Sequence, residues 1–235
     1  MKRIQCVSLL IMIVLLLSAC SNTGREQTGV TNQSDSSSVS EQGGQTAEKN
    51  PSEPTEQGKI LIAYFSWAEN AVQDNIDAMT SPSVSAPGNV AQLASWISGE
   101  TGGDLFSIQV TDPYPADWDG CLNCANKEKA DGVHPALSKT LDNIEEYDTV
   151  FLGYPNWWYS CPMAIYSFLD EHDLSGKQVY LFCSHGTGGL ASSVKDITAA
   201  LPNSATVSGN VFHVYQNDTS SAQNDVLNWL KELGY

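Results

Sequence analysis

Two continuous apolar runs of strand length stand out along the chain. Residues 59–65 read Lys-Ile-Leu-Ile-Ala-Tyr-Phe and residues 149–152 read Thr-Val-Phe-Leu. Neither alternates with polar positions, which is the pattern of strands buried on both faces of a parallel sheet. Gly153, Pro155 and Asn156 break the second run, so its strand is expected over 149–154, and Trp157, Trp158 and Tyr159 follow where the chain leaves the sheet. Cys161-Pro162 then opens a helical run over 163–169, with the proline suited to the first helical position.

The other elements fall around these two. Residues 67–87 lack periodicity and read as a long loop, a length that is uncommon without a function. Gly88-Asn89 starts a helix whose Val90, Leu93, Ala94 and Ile97 keep helical spacing, and Gly102-Gly103 ends it. A strand is predicted over 105–110, a turn-rich aromatic segment over 112–120, and helices over 121–130 and 135–144. A strand over 178–183 closes on Ser184, His185, Gly186, Thr187, Gly188 and Gly189, followed by a helix over 190–201. A fifth strand over 207–214 is interrupted by Gly209-Asn210, and a helix over 222–233 turns Val226, Leu227 and Leu230 inward. Strands alternating with helices imply an α/β fold, a doubly wound parallel sheet of five strands with right-handed crossovers and helices on both faces.

Composition separates the first 58 residues from this pattern. Lys2 and Arg3 precede an apolar run over 7–17 and then Leu17-Ser18-Ala19-Cys20. A basic start, a short apolar stretch and small residues at its end predict a signal peptide over 1–19 rather than a spanning helix. The Leu-Ser-Ala-Cys ending resembles a bacterial lipobox, which implies cleavage before Cys20 and lipid on that residue. Residues 20–58 are rich in Ser, Gln, Thr, Gly, Glu and Asn and cannot bury enough surface to offset their ordering entropy. They are expected to be a disordered tether, leaving residues 59–235 as one domain, exported and lipid-anchored to a bacterial membrane. Membrane contact is expected through the lipid on Cys20 only.

Charge then restricts the partners. Residues 59–235 hold seven Lys, no Arg and 21 acidic residues. Nucleic acid is therefore not an expected partner, and the balance speaks against a phosphate site built on arginine. Cys121 and Cys124 form an isolated C-x-x-C, expected to be structural or oxidised rather than catalytic. With no second pair and no His-x-x-x-His, structural zinc is not expected. Cys161 at a helix start has the position of a low-pKa thiol, but a small apolar filler suits it better. A hydrolase built on Ser66 and His185 lacks the Gly-x-Ser-x-Gly elbow.

In a doubly wound sheet, ligands sit beyond the carboxyl ends of the strands where strand order reverses. Three strand ends carry unusual residues. Ser66, with Gly88, Asn89 and Val90 at the next helix start, offers a hydroxyl and free amides for phosphate without a cationic side chain. Pro155, Asn156, Trp157, Trp158 and Tyr159 offer aromatic surface. Ser184, His185, Gly186, Thr187 and Gly188 let backbone come close to a ligand. On these residues the domain resembles a flavodoxin, and more closely the flavodoxin-like proteins whose first strand ends Tyr-Phe-Ser and whose third ends Gly-x-Pro-x-Trp-Trp. The phosphate motif is split here by residues 67–87, and Val90 stands where a hydroxyl residue is usual. The resemblance implies strand order 2-1-3-4-5 and non-covalent FMN. It places the phosphate on Ser66 and Gly88–Val90, the ring beside Pro155–Tyr159, and the ring's other edge at Ser184–Gly188.

The function expected on this basis is electron transfer or flavin-dependent reduction, with a redox partner protein or a small-molecule acceptor. The alternatives are an FMN-dependent NAD(P)H:quinone-type reductase, and a flavodoxin-fold binding module that has lost FMN. The anchor has its own test. Replacing Cys20 by Ala should leave an unprocessed precursor or a detached domain, and continued lipid labelling of that variant would exclude Cys20 as the lipid site.

Overall fold

The computed structural model describes residues 58–235 apart from 75, 77, 78 and 80. The predicted leader, the lipid-bearing Cys20 and the tether lie outside the described residues. Within them, β1 (Ile60–Tyr64), β2 (Asp104–Ser107), β3 (Thr149–Pro155) and β4 (Gln178–His185) form a parallel sheet, completed by β5 (Thr206–Val207) and β6 (Phe212–Tyr215). β5 and β6 are two pieces of one edge strand, since both pair with β4 on the same side and the chain leaves the ladder between them. The order is therefore 2-1-3-4-5, with the fifth strand in two parts.

The continuous apolar runs become the central strands. β1 is buried at every position and β3 at all but its first. Successive side chains go to opposite faces. Ile60, Ile62, Tyr64, Phe151 and Phe182 meet α2 (Asn89–Thr101) and α6 (Gln223–Leu233). Leu61, Ala63, Val150, Leu152 and Leu181 instead meet α3 (Trp118–Asp131), α4 (Met163–Glu171) and α5 (Ser193–Ala200). Two apolar layers thus enclose the sheet. Gly102 ends α2 in the left-handed conformation at φ 69°, its N–H bonding back to Ser98 O, a cap glycine provides without strain.

Several boundaries differ from the sequence reading, each for a local reason. Residues 135–143 form no helix, and Ile144 only opens a 3-10 turn, Ile144–Glu146. Thr111 N donates to Ala136 O at 2.8 Å and Ser138 N to Gln109 O at 2.7 Å, so this segment runs beside 109–111 as an extension of the β2 edge. Leu137 and Leu141 still pack on the core, by an extended path rather than by a helical face. The segment after β1 is not wholly irregular: α1 (Trp67–Asn70) follows it, and a 3-10 turn covers Pro82–Val84. Asn70 is buried and saturated, its Nδ2 donating to Ser66 O and Ile108 O and its Oδ1 accepting from Val110 N, which pins the end of β1 to the strand beside it.

β2 stops at Ser107 instead of 110, and α3 begins three residues earlier than predicted because Asp117 caps it, accepting from Gly120 N at 2.7 Å. α5 starts at Ser193, after turns at 187–192. Pro162 is the N-cap of α4 rather than its first helical residue. Gly153 does not break β3, which continues to Pro155 with Pro155 opposite Ser184.

Gly153 has a packing reason to be glycine. It lies opposite Phe182 on β4, and a Cβ there would overlap the Phe182 ring. Gly153→Ala should therefore cost roughly 1–3 kcal/mol by overpacking, outweighing the ~0.4–1 kcal/mol that reduced unfolded-chain entropy returns. Urea denaturation should show a lower midpoint at unchanged slope. A variant as stable as the parent would mean that Phe182 turns aside freely.

Candidate functional site

Strand order reverses between β1 and β3, because β2 lies on one side of β1 and β3 on the other. The gap beyond their carboxyl ends holds a cleft of about 200 Å³, where such sheets take their ligands. One wall is Pro155, Asn156, Trp157, Trp158 and Tyr159 after β3; a second is Ser184, His185, Gly186, Thr187 and Gly188 after β4. Trp67, Ser81, Ser83, Trp118 and Gln216 complete it. These five were not singled out from sequence. Ser81 and Ser83 lie within the aperiodic insertion, where Ser-Pro-Ser is a capped-turn signal: Ser81 Oγ accepts from Ser83 N at 3.2 Å and donates to Gln216 Oε1 at 3.3 Å.

Ser66, Gly88, Asn89 and Val90 gather at the start of α2 and do not themselves line the cleft. Ser66 Oγ is buried and has no hydrogen-bond partner. Gly88 packs directly on it with φ 83°, and a Cβ at Gly88 would overlap that oxygen. Ser83, a lining residue, adjoins Gly88 through its carbonyl. Asn89 Nδ2 donates to Ser184 Oγ at 3.1 Å and to Gln216 O at 2.8 Å, tying the helix start to the ends of β4 and β6. Val90 points its side chain into the apolar layer between α2 and the sheet, so only its backbone faces the helix end. The first-turn amides of α2 have no intrahelical acceptors.

The aromatic residues divide by environment. Trp157 is 8% exposed and edges onto Phe65, Trp67 and Tyr114 with ring centres 5.3, 6.0 and 5.1 Å away, so it is a packing residue that floors the cleft. Trp158 is half-buried, lies over Trp157 at 6.4 Å and edges onto Trp118 at 5.6 Å. Its Nε1 is buried without an acceptor. Tyr159 is 71% exposed.

Trp158 and Tyr159 also have unusual backbone, at φ 51° and 64°. Trp157 and Ser160 exchange both amide–carbonyl bonds at 3.0 Å across them, which makes a tight two-residue turn of the kind that favours Asn-Gly. Two bulky residues held left-handed cost on the order of 1 kcal/mol or more each. Such cost is borne where surrounding structure enforces it, typically at ligand sites.

On the opposite wall, Ser184 is buried, and its carbonyl accepts from Asn156 N at 2.9 Å. Asn156 Nδ2 reaches Gly189 O at 2.7 Å, so the two walls are cross-tied. His185 donates from Nδ1 to Gly186 O at 2.8 Å, and its Nε2 lies 3.1 Å from His213 Nδ1. Burial, and then the neighbouring His185, push the His213 pKa down. Among the described residues, no lysine lines the cleft.

The cysteines take no part. Cys121, Cys124, Cys161 and Cys183 form no disulfide. Burial pushes Cys161 up to about 12 despite its place before a helix, and pushes Cys121 and Cys183 up as well. These are inert packing groups.

The sequence model of the Flavodoxin family matches residues 59–233. No curated protein matches the chain. Among solved structures it is similar to a candidate flavoprotein from Bacteroides eggerthii, at 27% identity and TM-score 0.58, over 75% of this chain and 98% of that one. A candidate flavoprotein from Bacteroides uniformis matches at 25% identity and TM-score 0.57, over 74% and 98% of the two chains. A flavoprotein from Lactobacillus acidophilus, in complex with FMN, matches at 19% identity and TM-score 0.51 over 71% and 99%, a likeness of fold. Strand order, cleft position and a family match across nearly all of the folded region agree, and the chain belongs to the flavodoxin family.

Proposed function

We propose that the cleft binds FMN and that the protein carries electrons on the outer side of a bacterial membrane, held there by lipid on Cys20. The observation that supports this most is the pair of buried polar atoms without partners, Ser66 Oγ and Trp158 Nε1. A buried unsatisfied donor costs about 1–3 kcal/mol, and a ligand with acceptors at both places would recover it. Ser66, the positive-φ Gly88 and the first-turn amides of α2 make an anion cradle of neutral dipoles, suited to a phosphate. Ser81 and Ser83, which line the cleft next to it, would add hydroxyls. Trp158 and Tyr159 would cover a planar ring, and the backbone of residues 184–188 would meet its edge. The FMN-bound Lactobacillus acidophilus flavoprotein shares this fold. Bound here, FMN would supply one- or two-electron transfer. The protein's own contribution is binding, exclusion of water by the tryptophans, and a negative field.

That field favours a carrier over an NADPH-driven reductase. With no Arg and 21 acidic residues against seven Lys over 59–235, a polyanionic dinucleotide is repelled and lacks the guanidinium that commonly recognises its 2′-phosphate. A basic redox partner is attracted, with an on-rate that falls as salt is added.

Two experiments test the reading. Titration with micromolar FMN should quench flavin fluorescence and raise the thermal midpoint. Trp158→Ala should weaken that binding by on the order of 1 kcal/mol beyond lost contact area, whereas Trp157→Ala should chiefly lower stability. Absence of both quenching and stabilisation in the parent would leave the flavodoxin-fold binding module as the better description. Anaerobic mixing of the FMN-loaded protein with excess NADPH, then NADH, should leave the flavin absorbance intact while dithionite removes it. Rapid bleaching by either nucleotide would make the protein a reductase.

A further inference from the structure

The turn at Trp158 and Tyr159 holds two bulky residues left-handed, and contacts from outside the turn account for how. Lys129, in the last turn of α3, donates from Nζ to Trp158 O at 2.8 Å. Ser192 donates its amide to Tyr159 O at 3.1 Å. The carboxylate of Asp196, in the first turn of α5, accepts from Ser160 Oγ at 2.6 Å. Ser192 Oγ lies 2.6 Å from Asp196 Oδ2 and 2.7 Å from Tyr159 O. That hydroxyl has one proton and serves one acceptor at a time, so the amide keeps Tyr159 O paired either way. Both turn carbonyls and the residue that closes the turn are thus fastened by elements that do not line the cleft.

We propose that Lys129, Ser160, Ser192 and Asp196 form a latch that keeps Trp158 and Tyr159 in their left-handed conformation. Asp196 and Lys129 are then positioning residues that set how tightly the cleft grips a planar ligand without touching it. The proposal rests on the flavin reading only for the identity of that ligand. Geometry carries it, and the hydroxyls of Ser160 and Ser192, which hold the Asp196 carboxyl below the usual carboxylate range, agree with it. The rival role for Asp196 is purely local, an acid stabilising the amino end of α5. That role predicts lost stability and an undisturbed turn.

The test uses the full chain. In Asp196→Ala, hydrogen exchange at the Trp157 and Ser160 amides should quicken by about tenfold, because these amides report opening of the turn. The FMN dissociation constant should rise by about tenfold. Asp196→Asn, which keeps an oxygen acceptor, should fall between parent and Ala, and Lys129→Met should repeat the loosening. Adding Tyr159→Gly to Asp196→Ala should slow the exchange again, since glycine takes positive φ without help. A lower thermal midpoint with unchanged exchange at these two amides would overturn the latch and leave only the helix-end role. If the parent protein takes up no FMN, the affinity arm fails with the flavin reading, while the exchange arm still decides the latch.

Discussion

The structure depends on hydrogen-bond satisfaction along β3. Its backbone is buried and pairs with β1 on one side and with β4 from Thr149 to Pro155 on the other. No water is available to groups so placed, and an unpaired one carries the full desolvation penalty. The three strands are therefore fixed in register, and their carboxyl ends stand together. Apart from Trp118 at the start of α3 and Gln216 after β6, what makes the cleft is attached to those ends or lies against the start of α2, which Asn89 ties to β4 and β6. Gly153 belongs to the same constraint, because β3 and β4 can keep their register only if nothing projects at that position into Phe182.

Rigidity at the strand ends lets the site hold unfavourable local arrangements. The cleft wall contains two left-handed bulky residues and one buried polar atom without a partner, Trp158 Nε1, and a second such atom, Ser66 Oγ, lies at the start of α2. A sheet this well paired can impose such costs on a few residues without losing the fold, whereas a mobile loop would relax them. Packing points the same way. Trp157 is enclosed by Phe65, Trp67 and Tyr114, so the floor below Trp158 does not yield.

Legibility in the sequence followed the strength of each local signal. Residues 59–65 and 149–152 are continuous apolar runs of the kind a doubly covered parallel sheet accommodates, so fold class and the central strands could be read directly. Residues 135–144 misled because Leu137 and Leu141 have helical spacing, yet apolar positions four apart also serve a chain that runs extended and then turns. Backbone bonding to 109–111 decides the matter, and no side-chain pattern encodes it. The aromatic wall was visible in Trp157, Trp158 and Tyr159, but their division of labour was not. Which tryptophan is floor and which is wall depends on a turn whose sequence lacks the Asn-Gly signal. Ser81 and Ser83 were hidden by the insertion, whose residues reach the cleft through tertiary contact with Gln216 rather than by periodicity.

The charge pattern and the chemistry of the α2 end are two aspects of one arrangement. A guanidinium or ammonium in the cleft would bind an anion strongly, but it would also draw on the 21 carboxylates of the domain and could be captured by one of them in place of ligand. Neutral donors avoid that competition. Helix amides, a buried hydroxyl and a positive-φ glycine have fixed directions, so they do not swing away to a surface carboxylate, and their strength is retained in a low-dielectric setting. They also add no net charge to the site. The negative field of the surface therefore reaches the cleft with little to offset it beyond the Lys129 ammonium 2.8 Å from Trp158 O and the two histidines at its edge, of which His213 is held toward its neutral form by burial and by His185. A site so arranged disfavours gain of negative charge on whatever it holds.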